Sequence, residues 1–339
     1  MTACARSGAG IGRQALLARK GVVFLIISLL LVSIFLTILY AQRLPTSRER
    51  AEGEVSRIRS MSDFLTDFQA DVHRATTIAG FRSFIAVEQY ISEKGAFVTA
   101  PMPIFREAFM NGTIDGEAFE VMENSTFGEY LQRVNAEARK IGIGLNASVI
   151  NITLSQNTPW SVEIRFDMTM NVSDTRGLAR WDTVGEFTTT VSILDIRDPI
   201  YSVYTFGKIP NTIRQSPYNN SQFVVGSNDT TALNDEIGNM YYREDPYAPS
   251  FLQRLAGNLT GSSKYGIASL VDLDELNAQG LFVKTYQSVV DFRYFSNVST
   301  SDYCPGKGQP LPSWFKIDQE HYLDPAHDYE VSLLNATAC

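Results

Sequence analysis

His73, His321 and His327 are the only imidazoles in the chain, so metal binding and general-base chemistry have few groups to draw on. His321 and His327 flank Asp324 and Asp328, residue types that can hold a metal, but no HExxH or other ligand spacing accompanies them. Both are read as parts of a surface loop. His73 falls off an apolar helical stripe beside Arg74 and is also read as a surface residue. Asp272, Asp274 and Asn277 are spaced like the start of a calcium loop, yet Leu276 and a missing glycine break that pattern. Capping of a short helix explains them. No Gly-x-Ser-x-Gly elbow is present, no cysteine has a base nearby in sequence, and Gly306-Lys307-Gly308 lacks a P-loop frame. Tyr241, Tyr242, Tyr247, Trp314 and Phe315 are types that can line a sugar or peptide groove, or simply fill a core. No catalytic residue, metal set or cofactor is therefore expected, and the chain is not expected to be an enzyme.

The most frequent chemical signature is Asn-x-Ser/Thr. It begins at Asn111, Asn124, Asn146, Asn151, Asn171, Asn219, Asn228, Asn258, Asn297 and Asn335, ten of the seventeen asparagines. Chance placement at this Ser/Thr content would give about three. All ten follow one long apolar run, which points to a glycosylated extracytoplasmic domain. Cys304 and Cys339 lie on that same side, 35 residues apart. A bridge between them suits an oxidising compartment and would be worth roughly 3–4 kcal/mol in the chain-entropy model.

The apolar run extends from Val22 to Tyr40, directly after Arg19-Lys20-Gly21. As a helix rising 1.5 Å per residue it nearly crosses a hydrocarbon core of about 30 Å. Ser28, Ser33 and Thr37 are its only polar interruptions, and their hydroxyls can bond carbonyls of the same helix. The run exceeds a secretory h-region, and Leu39-Tyr40-Ala41 is a poor cleavage site. A permanent anchor in the lipid bilayer is the expected reading. Lys and Arg occur on both sides of the run, so the sequons set the orientation, with a cytoplasmic N-terminus. A net charge of −8, with no basic stripe carrying aromatics, opposes nucleic-acid binding.

Five segments are expected: a basic leader over 1–20, a transmembrane helix over 21–41, an amphipathic stalk helix over 42–97, an α+β ectodomain over 98–199, and an irregular α+β subdomain over 200–339. After a break at Pro45, Ile58, Met61, Leu65, Phe68, Val72, Ala75 and Ala79 recur at 3–4 spacing, continuing through Phe84, Val87 and Ile91 to Gly95. Three heptads fit a coiled coil, but the phenylalanine and alanines suit packing on a sheet. Thr126 and Glu129 form a capping box ahead of a helix to Ile141, whose face comprises Phe127, Leu131, Val134, Ala138 and Ile141. Three strands follow. Trp160 to Val172 alternate apolar and polar without a break, the strand before slips phase near Val149-Ile150, and the third runs from about Thr183 to Ile196. This phase puts Asn146, Asn151 and Asn171 on the wet face. Beyond Pro199, short helices are expected from Pro249 to Gly257 and from Asp272 to Gly280, with a strand over 288–295.

A basic leader ending in Lys20-Gly21, an apolar helix from Val22 and an amphipathic continuation resemble the N-terminus of type IV pilin-like proteins, a class III signal. The resemblance implies prepilin cleavage after Gly21 and an α+β fold in which a long helix lies on an antiparallel sheet. Main filament subunits usually carry glutamate at the fifth residue after cleavage, where this chain has Ile26. More broadly the chain resembles archaeal single-pass surface proteins of no assigned activity. That likeness is carried by the leader and by Asp198-Pro199, Ser216-Pro217-Tyr218, Ala248-Pro249-Ser250-Phe251-Leu252 and Pro312-Ser313-Trp314-Phe315. It implies a location and no established activity. The first expectation is a structural or interaction role, as a minor pilin-like or adhesin-like component with other pilin-like or envelope proteins as partners. A tethered receptor for a small ligand is the second expectation, and a hydrolase the third.

Overall fold

The computed structural model describes residues 11–226, 229–298, 301–306, 309–323, 329 and 336–339, and only the backbone of 11–20 and 42–51. The chain divides into two compact units, Met1–Phe64 and Leu65–Cys339, and its architecture is α+β with antiparallel sheets.

The first helix, α1, runs from Ile11 to Lys94. Within the first unit it carries Gly21–Ala41, which is long and apolar enough to cross a membrane and of which nothing is buried. Ser33 Oγ donates to Leu30 O at 3.0 Å and Thr37 Oγ1 to Ile34 O at 3.0 Å, so these hydroxyls are satisfied within the helix. The expected break at Pro45 does not occur. A proline inside a helix forfeits one backbone bond and costs about 3 kcal/mol, which a helix continuing on both sides can absorb. Ile58, assigned to the apolar stripe, is 40% exposed.

In the second unit Phe68, Val72, Ala79, Phe84, Val87 and Ile91 of α1 are buried, and the helix stops before Gly95, whose φ is +62°. Next come α2 (Pro101–Asn111), the small hairpin of β1 (Thr113–Ile114) with β2 (Glu117–Ala118), and α3 (Phe127–Lys140). The capping box forms: Thr126 Oγ1 accepts from Glu129 N at 3.0 Å, and Glu129 Oε2 accepts from Thr126 N at 3.2 Å. Phe127 and Ala138 are buried, whereas Ile141 is 56% exposed at the frayed end, off the expected face.

An antiparallel meander follows, β3 (Ile143–Thr158), β4 (Ser161–Asp174) and β5 (Arg180–Ser192), paired in that order. Every second residue of β4, from Val162 to Val172, is buried, as its alternation requires. Pairing shifts between Ile150↔Asp167 and Thr153↔Arg165, which inserts one residue in β3. Asn151 sits at this bulge with φ +53°, close to the expected phase slip. The third strand starts three and ends four residues earlier than expected, at Arg180 and Ser192. Its inner residues Phe187 and Val191 face Phe166 and Val162.

Aromatic rings knit these layers. Phe84 lies 4.7 Å from Phe105, Phe109 5.0 Å from Phe127, Phe127 5.4 Å from Phe166, and Phe166 5.5 Å from Phe187, between centroids. Such pairs add about 0.5–1.5 kcal/mol each beyond area burial. Gly80 of α1 faces β4 and β5, where a Cβ would overlap Ile164 Cδ1 and lie 3.2 Å from Val191 Cγ2. The helix backbone approaches the sheet this closely only because the side chain is missing.

The rest of the unit is built from short elements: α4 (Pro199–Tyr204), α5 (Thr231–Asn239), β6 (Tyr242–Glu244), α6 (Phe251–Leu255), β7 (Ile267–Ser269), α7 (Leu273–Ala278) and α8 (Asp291–Ser296), then β8 (Asp302–Cys304), β9 (Ile317–Asp318), α9 (Gln319–Leu323) and β10 (Thr337–Ala338). β6 pairs with β7, and β8 lies between β10 and β9. The two expected short helices form as α6 and α7, followed by Gly257 and Gly280 at φ +68° and +66°. The expected strand over 288–295 is instead α8. Asp291, Phe292, Tyr294 and Phe295 are all buried, so packing on several sides overrides the β-branched and aromatic composition.

Candidate functional site

A cleft of about 500 Å³ opens between the last turns of α1 and the segment joining β5 to α4. One stripe of α1, Ile85, Glu88, Gln89, Ser92 and Glu93, forms one wall, because residues three and four apart share a helix face. Asp195, Ile196 and Arg197 form the other. Asp195 has φ +67°, a left-handed conformation that aspartate tolerates better than most residues. The segment is pinned on its far side, where Asp195 N donates to Ile213 O at 3.0 Å and Asp198 N to Asn211 O at 2.8 Å.

Glu88 is the unusual member. It is only 3% exposed, and Ser202 Oγ of α4 donates to its Oε1 at 2.5 Å. No other hydrogen bond reaches this carboxylate among the described residues. Burial raises its pKa above the ordinary glutamate value, while the Ser202 hydroxyl and the charge of Arg197 pull the other way. On the wall of the cleft, Glu93 Oε1 accepts from Gln89 Nε2 at 2.8 Å. The Arg197 guanidinium is exposed and forms no hydrogen bond or ion pair among the described residues. Gly207 approaches the same wall, where a Cβ would lie 3.5 Å from Ser92 Oγ. Its neighbour Phe206 is 78% exposed at φ +55°, a strained conformation for an aromatic residue.

The unit also holds two buried charge networks. Arg254 Nη1 contacts Asp198 Oδ2 at 2.5 Å and Asp291 Oδ2 at 2.8 Å, and Arg254 Nη2 donates to the Ile267 carbonyl. Tyr242 Oη donates to Asp198 at 2.8 Å and Ser269 Oγ to Asp291 at 3.0 Å. Burial alone would lower the Arg254 pKa, but the two carboxylates outweigh it and hold the guanidinium charged. Burial raises Asp291 against the pull of Arg254. In the second network His321 Nε2 lies 2.6 Å from Asp245 Oδ2 and Nδ1 lies 2.7 Å from Asp318 Oδ1. Burial would lower the His321 pKa, yet the two carboxylates raise it to about 10. Burial would raise Asp318, yet the hydrogen bonds and charge of His321 hold it at about 2. Ser288 Oγ completes the site by donating to Asp318 Oδ2 at 2.9 Å. An imidazolium occupied at both nitrogens has no lone pair for a metal or for proton abstraction. The expected surface position of His321 is thus corrected: carboxylates 76 and 3 residues away draw it inside.

Of the sequons, Asn111, Asn124, Asn146, Asn151, Asn219, Asn258 and Asn297 are exposed, and Asn171 is half-buried. Asn228 and Asn335 lie outside the described residues, as do His327, Asp324, Asp328 and Lys307 and the side chain of Lys20. Gly21 and Val22 lie within α1. Cys304 and Cys339 form a disulfide with Cα atoms 5.4 Å apart, beside the pairing of β8 with β10. His73 is exposed at its edge but reaches Thr189 Oγ1 at 3.2 Å. Asp272 caps α7, accepting from Asp274 N at 2.9 Å and Glu275 N at 3.2 Å. The aromatic groove does not assemble. Tyr242 and Phe315 are buried, Tyr247 is 38% exposed, and Trp314 Nε1 donates to Asp274 at 2.9 Å. Glu88, Asp195, Arg197 and the Arg254 cluster carried no sequence signal beyond their charge. Glu88 on an otherwise apolar stretch of the stripe was the one available hint.

Comparison with known protein families, curated proteins and solved structures finds no match for this chain.

Proposed function

We propose that this chain is a membrane-anchored, N-glycosylated surface protein with a structural or interaction role, its Leu65–Cys339 unit facing away from the cytoplasm. The observation that carries this is the uncovered apolar helix Gly21–Ala41 placed before every sequon. Support comes from the exposure of seven sequon asparagines and from the Cys304–Cys339 disulfide, which suits an oxidising compartment. The pilin-like part of the proposal, a minor or adhesin-like component cleaved after Gly21, draws on Lys20-Gly21 and on the approach of Gly80 to Ile164 and Val191. Other envelope proteins and the lipid bilayer are its proposed partners.

A second reading, a tethered receptor for a small polar ligand, is favoured by the cleft at Glu88. Its size falls within the range of about 300–1,000 Å³ usual for small-molecule sites.

Mass spectrometry of the mature chain tests the first reading. Sugar mass on sequon peptides is expected, together with an N-terminus at Val22 if the prepilin route is used. A bare polypeptide starting near Gln42 would contradict both anchoring and glycosylation.

A further inference from the structure

The cleft at Glu88 has a charge pattern that specifies a ligand class. Glu88, Glu93 and Asp195 supply three carboxylates against the single guanidinium of Arg197. Glu88 is almost wholly withdrawn from water, yet among the described residues its only hydrogen-bond partner is the neutral hydroxyl of Ser202. A carboxylate left in that condition gains most from a cationic donor on its free oxygen. On the other wall Arg197 holds an exposed guanidinium to which no carboxylate is hydrogen-bonded among the described residues. Its planar fork suits a ligand carboxylate, which it can grip through two parallel bonds.

We propose that this cleft binds a small ligand carrying ammonium groups and one carboxylate, a basic amino acid being the simplest member, with an ammonium on Glu88 and the carboxylate on Arg197. This rests on the second reading above and names its ligand class. Glu93 and Asp195 take the second positive charge at the rim. Both walls are held in place: the Ser202 hydroxyl fixes the Glu88 carboxylate, and the backbone bonds of Asp195 and Asp198 to Ile213 and Asn211 fix the segment bearing Arg197. Strain at Phe206 and the left-handed Asp195 lie on this same side of the unit, where stored strain commonly accompanies binding. A neutral sugar would leave the charge excess of the cleft unanswered, and a simple anion would be repelled by it.

Calorimetric titration of the full chain in lipid nanodiscs tests this, with L-lysine, putrescine, acetate and glucose as probes. L-lysine is expected to bind and acetate and glucose are not. Glu88→Gln, which keeps the shape and the Ser202 contact, should weaken L-lysine at least about tenfold. Arg197→Ala, an exposed change that cannot unfold the core, should weaken L-lysine similarly and should not weaken putrescine, which has no carboxylate for Arg197 and is freed of its repulsion. Silence of L-lysine up to about 10 mM, where even a weak site would register, would overturn the proposal. So would an L-lysine affinity unchanged from the parent in either variant, or glucose binding in place of L-lysine. None of those results would touch anchoring or glycosylation, which are read from the mass of the mature chain.

Discussion

Arg254 Nη1 lies 2.5 Å from Asp198 Oδ2, with both side chains completely buried and 56 positions apart in sequence. The same guanidinium holds Asp291, so one cation ties α6 to the start of α4 and to α8. Removing it would strand two carboxylates in a dry interior. Arg254→Leu is expected to cost about 3–5 kcal/mol in urea unfolding. Replacing both partners as well, with Asp198→Asn and Asp291→Asn, should recover part of the loss. A single variant as stable as the parent would show that the cluster does not hold the unit together.

The His321 pair predicts how stability varies with pH. Its folded pKa of about 10 lies above the ordinary histidine value of 6.5. Its contribution is therefore complete below about pH 6.5 and is lost as pH rises through about 10. Asp318 is opposite in sign. Held at about 2 against 3.8, it contributes fully above about pH 3.8 and loses that contribution as pH falls through about 2. Melting temperature should fall on the alkaline side from pH 7 to 10, and His321→Gln should flatten that limb while lowering stability by about 3 kcal/mol at pH 6.

Glu88 should behave the other way round. A carboxyl whose folded pKa is raised by burial stabilises the fold below its unfolded pKa and loses that advantage as pH rises through the folded value. Burial works against its charged form. Glu88→Gln is expected to be neutral or to stabilise by up to about 1 kcal/mol in urea unfolding. A loss above that size would mean that the carboxylate serves the fold.

Asn146 and Asn171 face each other directly in the pairing of β3 with β4. Cross-strand Cβ atoms are about 5 Å apart, too close for two glycans to leave the same patch. Asn171 is also half-buried and donates its amide to Asp182. Glycopeptide mapping should find sugar on Asn146 and none on Asn171 of the same molecule. Both sites filled on one chain would contradict this geometry.

Legibility in the sequence followed the range of the interaction. The Thr126–Glu129 capping box and the alternation of Val162 to Val172 are local, and both appear where periodicity puts them. The α8 segment was misread because a stretch buried on several sides has no wet face to reveal its period. Arg254, Asp198 and Asp291 were invisible because no spacing rule joins residues that only the finished fold brings together. His321 misled for the same reason: its surroundings in sequence are polar, while its partners Asp245 and Asp318 make a private interior site. The cleft required two segments, Glu88 to Glu93 and Asp195 to Arg197, that lie about a hundred residues apart.

The Gly21–Ala41 helix is long and apolar enough to cross a membrane, and its proposed place in a bilayer, with the Leu65–Cys339 unit facing away from the cytoplasm, is open to direct test. Brief protease treatment of intact cells, followed by blotting with an antibody to the first twenty residues and another to the C-terminal unit, reads it most directly. The account predicts loss of the C-terminal signal at the cell surface while a short membrane-held fragment keeps the N-terminal one, unless the leader has been removed. Full protection of the C-terminal unit until the cells are lysed would contradict it.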